Sequence, residues 1–336
     1  LGISGSPADL ETGMQLAYLL LTEPKIETAG FEQFKTQTRQ TLEEALGNPA
    51  SLGSQAAEAA PYPDDEVRTK PLTVAQLDRL NQDAAQAWLE KLIATSPIEV
   101  TIVGDLPKEK AVELVTRYVA SLPSRDRVSP SLYLDKRRLT APKGPRVIEK
   151  TLQTITPQAF VSSGFYGADE TNIADARALS VASRVISTRM IKQLREDAQL
   201  VYSIGAGSRP ASTYPGFGVF SSSATTDPAK VPALVQQVAQ MYAAFAKDGP
   251  TADELALAKK QIANTFASEV DTPAYWLARL NLLTFRGNSL DDIVGAPAAF
   301  QAISASEVQG TFAKYYSKDH SIIVTVIPTA PTEGAK

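Results

Sequence analysis

The stretch Ile323-Val324-Thr325-Val326-Ile327 decides the fold, because Glu99-Val100-Thr101-Ile102-Val103 is its near-copy. Both are short, rich in β-branched residues and bounded by polar or turn-forming residues. They read as strands over 97–103 and 320–327. Working outward from each, the helical patterns match too. Helices expected at 7–23, 28–46 and 73–93 have counterparts at 229–247, 252–267 and 304–316. The offset is about 220 residues throughout, which marks an internal repeat.

Local signals support the boundaries. Ser6-Pro7-Ala8-Asp9 opens the first helix, with Ser as cap, Pro at the first helical position and Asp in the positive first turn. Thr73 with Gln76 has capping-box spacing, and 107–122 continues as a helix. The second copy carries an extra block: strands at 146–152 and 158–165, a helix at 173–196, and strands at 201–208 and 216–225. Further helices follow at 274–285 and 291–303. The first copy lacks that block. The expectation is that some 70–90 residues of unit one lie upstream, and that the chain is a piece of a longer protein. The fold class expected is α+β: two homologous units, each an antiparallel-rich sheet with helices packed on one face, the first truncated at its N-terminus. The division expected is a first unit over 1–122, a linker over 123–145, a second unit over 146–328 and a tail over 329–336. The linker rests on Pro123, Pro130, Pro142, Gly144 and Pro145; its basic residues leave a binding arm as the alternative.

Composition excludes several functions. The chain has 336 residues, 33 Lys and Arg against 37 Asp and Glu, and a net charge of −4. No global positive field exists to neutralise phosphates, so a dedicated nucleic-acid role is not expected. No apolar run reaches the roughly 20 residues of a membrane helix. Cysteine is absent, which removes disulfides, Cys-ligated zinc and thiol nucleophiles. His320 is the only histidine. Zinc hydrolases need more imidazoles than that, and a Ser-His-Asp triad needs one in a cleft. His320 precedes the last strand and reads as a surface residue.

The segment from Ile186 to Phe220 carries the chemistry. A helix ends at Leu194-Arg195-Glu196, a turn follows, and a strand opens at Leu200-Val201-Tyr202. Arg195 and Tyr202 flank this reversal, so their side chains could converge. An Arg and a Tyr hydroxyl can together hydrogen-bond a carbonyl or an oxyanion without histidine. A helix-end Arg facing the negative dipole, beside a Tyr on a strand face, is the plainer alternative.

The run LREDAQLVYSIGA resembles the L-R-E-x-x-G-L-x-Y-S-V segment of the pitrilysin/insulinase family of zinc metallopeptidases, whose zinc half carries H-x-x-E-H. The resemblance extends over nearly the whole chain, including the two-copy organisation, the linker and the end of the 97–103 stretch. It implies that this chain is the non-zinc C-terminal half, enclosing a peptide with a zinc-bearing half that is either in the same polypeptide or a partner subunit. Tyr202 would bond the scissile carbonyl and Arg195 would orient the peptide. Zinc, water and general base would belong to the other half. No cofactor is expected in this chain, and alone it should be inactive. A non-catalytic scaffold or peptide-binding homologue of the same fold is the alternative. One departure is visible: Gln199 stands where the pattern has Gly, and a turn needing positive φ suits Gln less. The shorter-unit members of the family point to a bacterial periplasm or envelope.

Smaller signals read structurally. Glu43 and Glu44 sit roughly where a distal zinc Glu would lie, but an exposed acidic helix end explains them. Gly205-Ala206-Gly207 reads as glycines easing twist or close approach in a strand. Ser221-Ser222-Ser223 reads as a strand end. Trp88 and Trp276 read as core.

Overall fold

The computed structural model describes residues 1–127 and 133–330. Parts of the expected linker (128–132) and tail (331–336) lie outside the described residues. The chain divides into two compact units. One comprises 1–39, 74–132 and 265–295; the other comprises 40–73, 133–264 and 296–336.

The second unit is built on a five-stranded sheet. Its strands are β1 (Arg146–Gln153), β2 (Ala159–Gly167), β3 (Gly205–Arg209), β4 (Gly218–Thr226) and β5 (Ser321–Thr329), in the order β1-β5-β2-β4-β3. Only β1 and β5 run parallel; the other pairings are antiparallel. The expected strands are therefore present, with β3 starting later than 201. Ser221–Ser223 falls inside β4 rather than at its end, because all three residues pair with β2.

Alternate residues of β2 face opposite sides of the sheet. Phe165 packs with Phe220, Tyr242, Phe312 and Tyr316, its centroid 5.1–5.7 Å from theirs. Tyr242 and Phe312 come from helices Val231–Asp248 and Ala305–Tyr315. The buried Tyr242 hydroxyl donates to Ser222 Oγ at 2.9 Å, and burial pushes its pKa above the ordinary phenol value. Phe160 and Tyr166 face the other way. Tyr166 donates to Pro61 O at 2.5 Å, and the Phe160 ring fills the space a Cβ on Gly53 would need.

A helix packs on this second face as well. The extra cover is helix Pro49–Ala59, capped by Asn48, whose side chain accepts from Ala50 N and Ser51 N. It had no counterpart in the sequence reading, although Asn48-Pro49 is a helix-start signal. Residues 40–73 thus pack with the sheet of 146–329 rather than with residues 1–39.

The first unit is helical among the described residues. It holds Leu10–Thr22, residues 28–39, Val74–Asp78, Gln82–Thr95, Lys108–Tyr118 and, from the second copy, Pro273–Leu280, Leu283–Arg286 and Leu290–Val294. The expected helix 73–93 is broken at Arg79–Asn81, where the Asn81 side chain starts a new helix by accepting from Ala84 N. The expected strand 97–103 is not one. A β-branched run becomes a strand only when another strand takes its backbone groups. Here the Glu99 carboxylate accepts from the amides of Thr284 and Phe285, and Thr101 donates to Leu280 O. Trp88, expected in the core, is 64% exposed, whereas Trp276 is half-buried and donates to Val270 O. His320 is exposed, as are Glu43 and Glu44.

Candidate functional site

Asn172 starts helix Ile173–Met190 by accepting from Asp175 N. The inner face of this helix buries Leu179, Val181, Ala182, Val185 and Ile186, and Ser183 with them, while Arg184 faces solvent. The helix then widens into a π-helical segment, Ile191–Asp197. Such widening redirects side chains and is common at functional positions. Leu194 is buried and anchors the segment, leaving its neighbour Arg195 in solvent.

The reversal after Arg195 is pinned from Ala198 to Val201. Ala198 N donates to Gln193 O at 3.0 Å and Leu200 N to Leu194 O at 2.8 Å. Gln199 adopts φ of 50°, the left-handed conformation that suits glycine. Lys230 Nζ donates to Gln199 O at 2.8 Å, and Thr226 Oγ1 donates to Leu200 O at 2.5 Å. Val201 bridges to Thr226 at the end of β4. Sequence reasoning flagged Gln199 but missed Lys230 and Thr226, which lie about 30 residues away and carry no local motif.

The turn brings the two expected residues together. The Arg195 guanidinium carbon lies 5.4 Å from the Tyr202 ring centroid, and Tyr202 is 83% exposed. At an exposed site this cation–π contact is worth about 0.5–1 kcal/mol. It arranges the pair more than it stabilises the fold. Neither side chain makes a hydrogen bond or ion pair among the described residues, so guanidinium and hydroxyl are free to donate to an external oxygen.

Among the described residues no group of three or more His, Cys, Asp or Glu side chains could hold a metal ion. Gly205 and Gly207 prove undemanding: a Cβ on Gly205 would meet Ser187 Oγ at an ordinary 3.7 Å, and one on Gly207 would enter open space. Among the described residues no helix is long and apolar enough to cross a membrane.

The profile described as "Peptidase M16 inactive domain" matches residues 79–262, more than half of the chain. The fold is similar to the crystal structure of a peptidase M16 inactive domain from Pseudomonas fluorescens, with TM-score 0.75 and 20% identity over 98% of this chain and 78% of that one. It is also similar to a protease from Helicobacter pylori, with TM-score 0.79 and 16% identity over 96% and 78%. A periplasmic protease from Escherichia coli gives TM-score 0.75 and 19% identity over 96% of this chain and 35% of that one. At these identities the likeness is one of fold. No curated protein sequence matches the chain.

Proposed function

Since the chain belongs to the peptidase M16 inactive-domain family, we propose that it forms the non-zinc half of a peptide-enclosing peptidase and supplies Arg195 and Tyr202 to the active site of a zinc-bearing half. The observation that carries this reading is the convergence of Arg195 and Tyr202 on one pinned reversal, with both donor groups free. The Tyr202 hydroxyl would donate to the scissile carbonyl oxygen. Charge grows on that oxygen as the bond breaks, so the bond would strengthen toward the transition state. Arg195, held against the ring, would bond a neighbouring peptide carbonyl or carboxylate and fix its register. Zinc, when bound by the other half, would activate water; no step of that chemistry falls to this chain's residues.

In the assembled enzyme, Tyr202→Phe should lower turnover by roughly tenfold to a thousandfold with the fold unchanged. An unchanged rate removes Tyr202 from the mechanism and leaves a scaffold role. The isolated 336-residue chain should retain no stoichiometric zinc after chelator washing; elemental analysis giving about one zinc per chain would end the proposal.

A further inference from the structure

We propose that the groove between helix Pro49–Ala59 and the edge strand β1 binds a short-chain aliphatic carboxylate, its head on Lys150 and its chain over Ile148 and Ala59. This goes beyond the peptide-handling reading and does not depend on it. The groove lies within the sheet-containing unit and encloses about 210 Å³. A dry cavity of ~150 Å³ holds benzene, so this one holds roughly eight non-hydrogen atoms. That is the size of a six-carbon acid, and a peptide of even a few residues would not fit.

The fold opens this groove for an identifiable reason. The helix sits over β5 and β2, where Ala56 and Ala60 pack on Ile322 and Val324. β1 is the end strand, so its face lies to one side of the helix. Arg146, Ile148 and Lys150 alternate along β1 and share that face. Opposite them, the small side chains of Ala56 and Ala59 leave space that longer ones would fill. Helix and strand run in opposite directions. Thr154 Oγ1 donates to Gly47 O beyond one end, and Arg146 Nε donates to Ala60 O beyond the other.

The charges on the walls do not balance. Lys70, Arg146 and Lys150 line the groove against a single carboxylate, Asp64. Asp64 is already engaged: it accepts two bonds from Arg146, at 2.6 and 3.3 Å, and lies 4.0 Å from Lys70 Nζ. Arg146 also bonds a carbonyl at the helix C-terminus, where a cation suits the dipole. The fold thus accounts for both cations at that end. Lys150 is different. Neither it nor the Gln55 amide makes a hydrogen bond or ion pair among the described residues. A carboxylate there would accept from the Lys150 ammonium and the Gln55 amide, nearer the positive end of the helix. The chain behind it would lie against Leu52, Ala59 and Ile148, which are half-buried without it. Covering them favours an apolar body over a fully hydrated anion.

The probe is sodium hexanoate, titrated into the whole chain carrying methyl-labelled Ile and Leu. The Ile148 and Leu52 methyl signals should shift together and saturate at one hexanoate per chain. Hexanol keeps the tail and inorganic phosphate keeps the charge; each should bind at least tenfold more weakly. Lys150→Met keeps the aliphatic stem, removes the charge and should weaken hexanoate about tenfold. Ala59→Leu fills the groove from a helix position that accepts leucine, and should abolish binding at an unchanged urea midpoint. Hexanol or phosphate binding as tightly as hexanoate, or full affinity in Lys150→Met, would overturn the proposal. So would shifts confined to residues outside the groove, or no binding at millimolar hexanoate. None of these results bears on the Tyr202→Phe turnover, which tests the functional reading separately.

Discussion

The two units hold repeated helices in different surroundings. The shift that sets Glu99 against Ile323 also sets Tyr18 against Tyr242, Leu21 against Phe245 and Trp88 against Phe312. In the sheet-containing unit, Phe312 is fully buried among Phe165, Phe220, Tyr242 and Phe245. In the helical unit, Trp88 stands 64% exposed, and among the described residues the buried hydrophobic side chains are Met14, Phe31, Leu77, Leu114 and Tyr275. A large aromatic residue at the same place in a repeat is therefore not core by itself. The sheet makes it core, because β2 and β4 supply the facing rings.

The sharpest way to break this comparison is to truncate both members of the pair. Phe312→Ala removes a buried ring with five aromatic neighbours and should cost about 3–5 kcal/mol. Trp88→Ala should cost about 1 kcal/mol or less, since most of its surface is already in water. Urea unfolding followed by far-ultraviolet circular dichroism measures both. Both tryptophans, Trp88 and Trp276, lie in the helical unit, so their fluorescence reports that unit separately. Comparable costs at the two positions would mean that Trp88 is covered in solution.

A second test sets the ion pairs of the units side by side. In the sheet-containing unit, Arg189 makes a two-pronged contact with Glu254 at 2.7 Å and donates to Gly249 O, with both side chains largely shielded. Hydrogen bonds from Arg189 hold the Glu254 carboxyl down at about 2. In the helical unit, Arg117 reaches Glu11 and Glu113 at comparable distances, but in solvent. Glu254→Gln should cost about 1–2 kcal/mol at pH 7, and Glu11→Gln about 0.5 kcal/mol or less. The folded pKa of Glu254 lies below its unfolded value. Its contribution is therefore complete above pH 4.5 and is lost as pH falls from there toward 2. Urea midpoints at pH 7 and pH 3 should show the Glu254→Gln penalty shrinking. A penalty constant across that range would assign it to packing rather than charge.

The same contrast explains what the sequence made legible. Where a sheet and its helices are both present, periodicity sufficed: the strand positions, the long helix into Arg195 and the Arg195–Tyr202 convergence all follow from local pattern. The failures lie where a distant partner decides. Glu99–Val103 has a strand's composition, yet its polar groups are engaged by residues 280–285. Helix Pro49–Ala59 covers a sheet that begins 87 residues after it ends, and nothing in Asn48-Pro49 says which face it will find. Lys230 holds the turn between Arg195 and Tyr202 across 31 residues, a distance no motif spans.

The smallest effect tests the turn itself, the one place where sequence-level discomfort and observed geometry meet. Gln199 takes φ of 50° although its side chain disfavours that region. A left-handed L-residue costs roughly 1–2 kcal/mol, while glycine surrenders about 0.5–1 kcal/mol of extra chain entropy on folding. Gln199→Gly should therefore stabilise the sheet-containing unit by about 0.5 kcal/mol, read as a slight rise in urea midpoint. The bonds from Lys230 and Thr226 reach backbone carbonyls, so the substitution leaves them in place and Tyr202 should stay beside Arg195. Lys230→Met in the Gln199→Gly background separates strain from tethering. If the tether is what holds the left-handed turn, the double variant should keep its stability yet expose Leu200 to faster amide exchange. If exchange at Leu200 is unchanged, the Leu194 carbonyl and Thr226 hold the reversal without Lys230, and the helix end and β4 fix the turn between them.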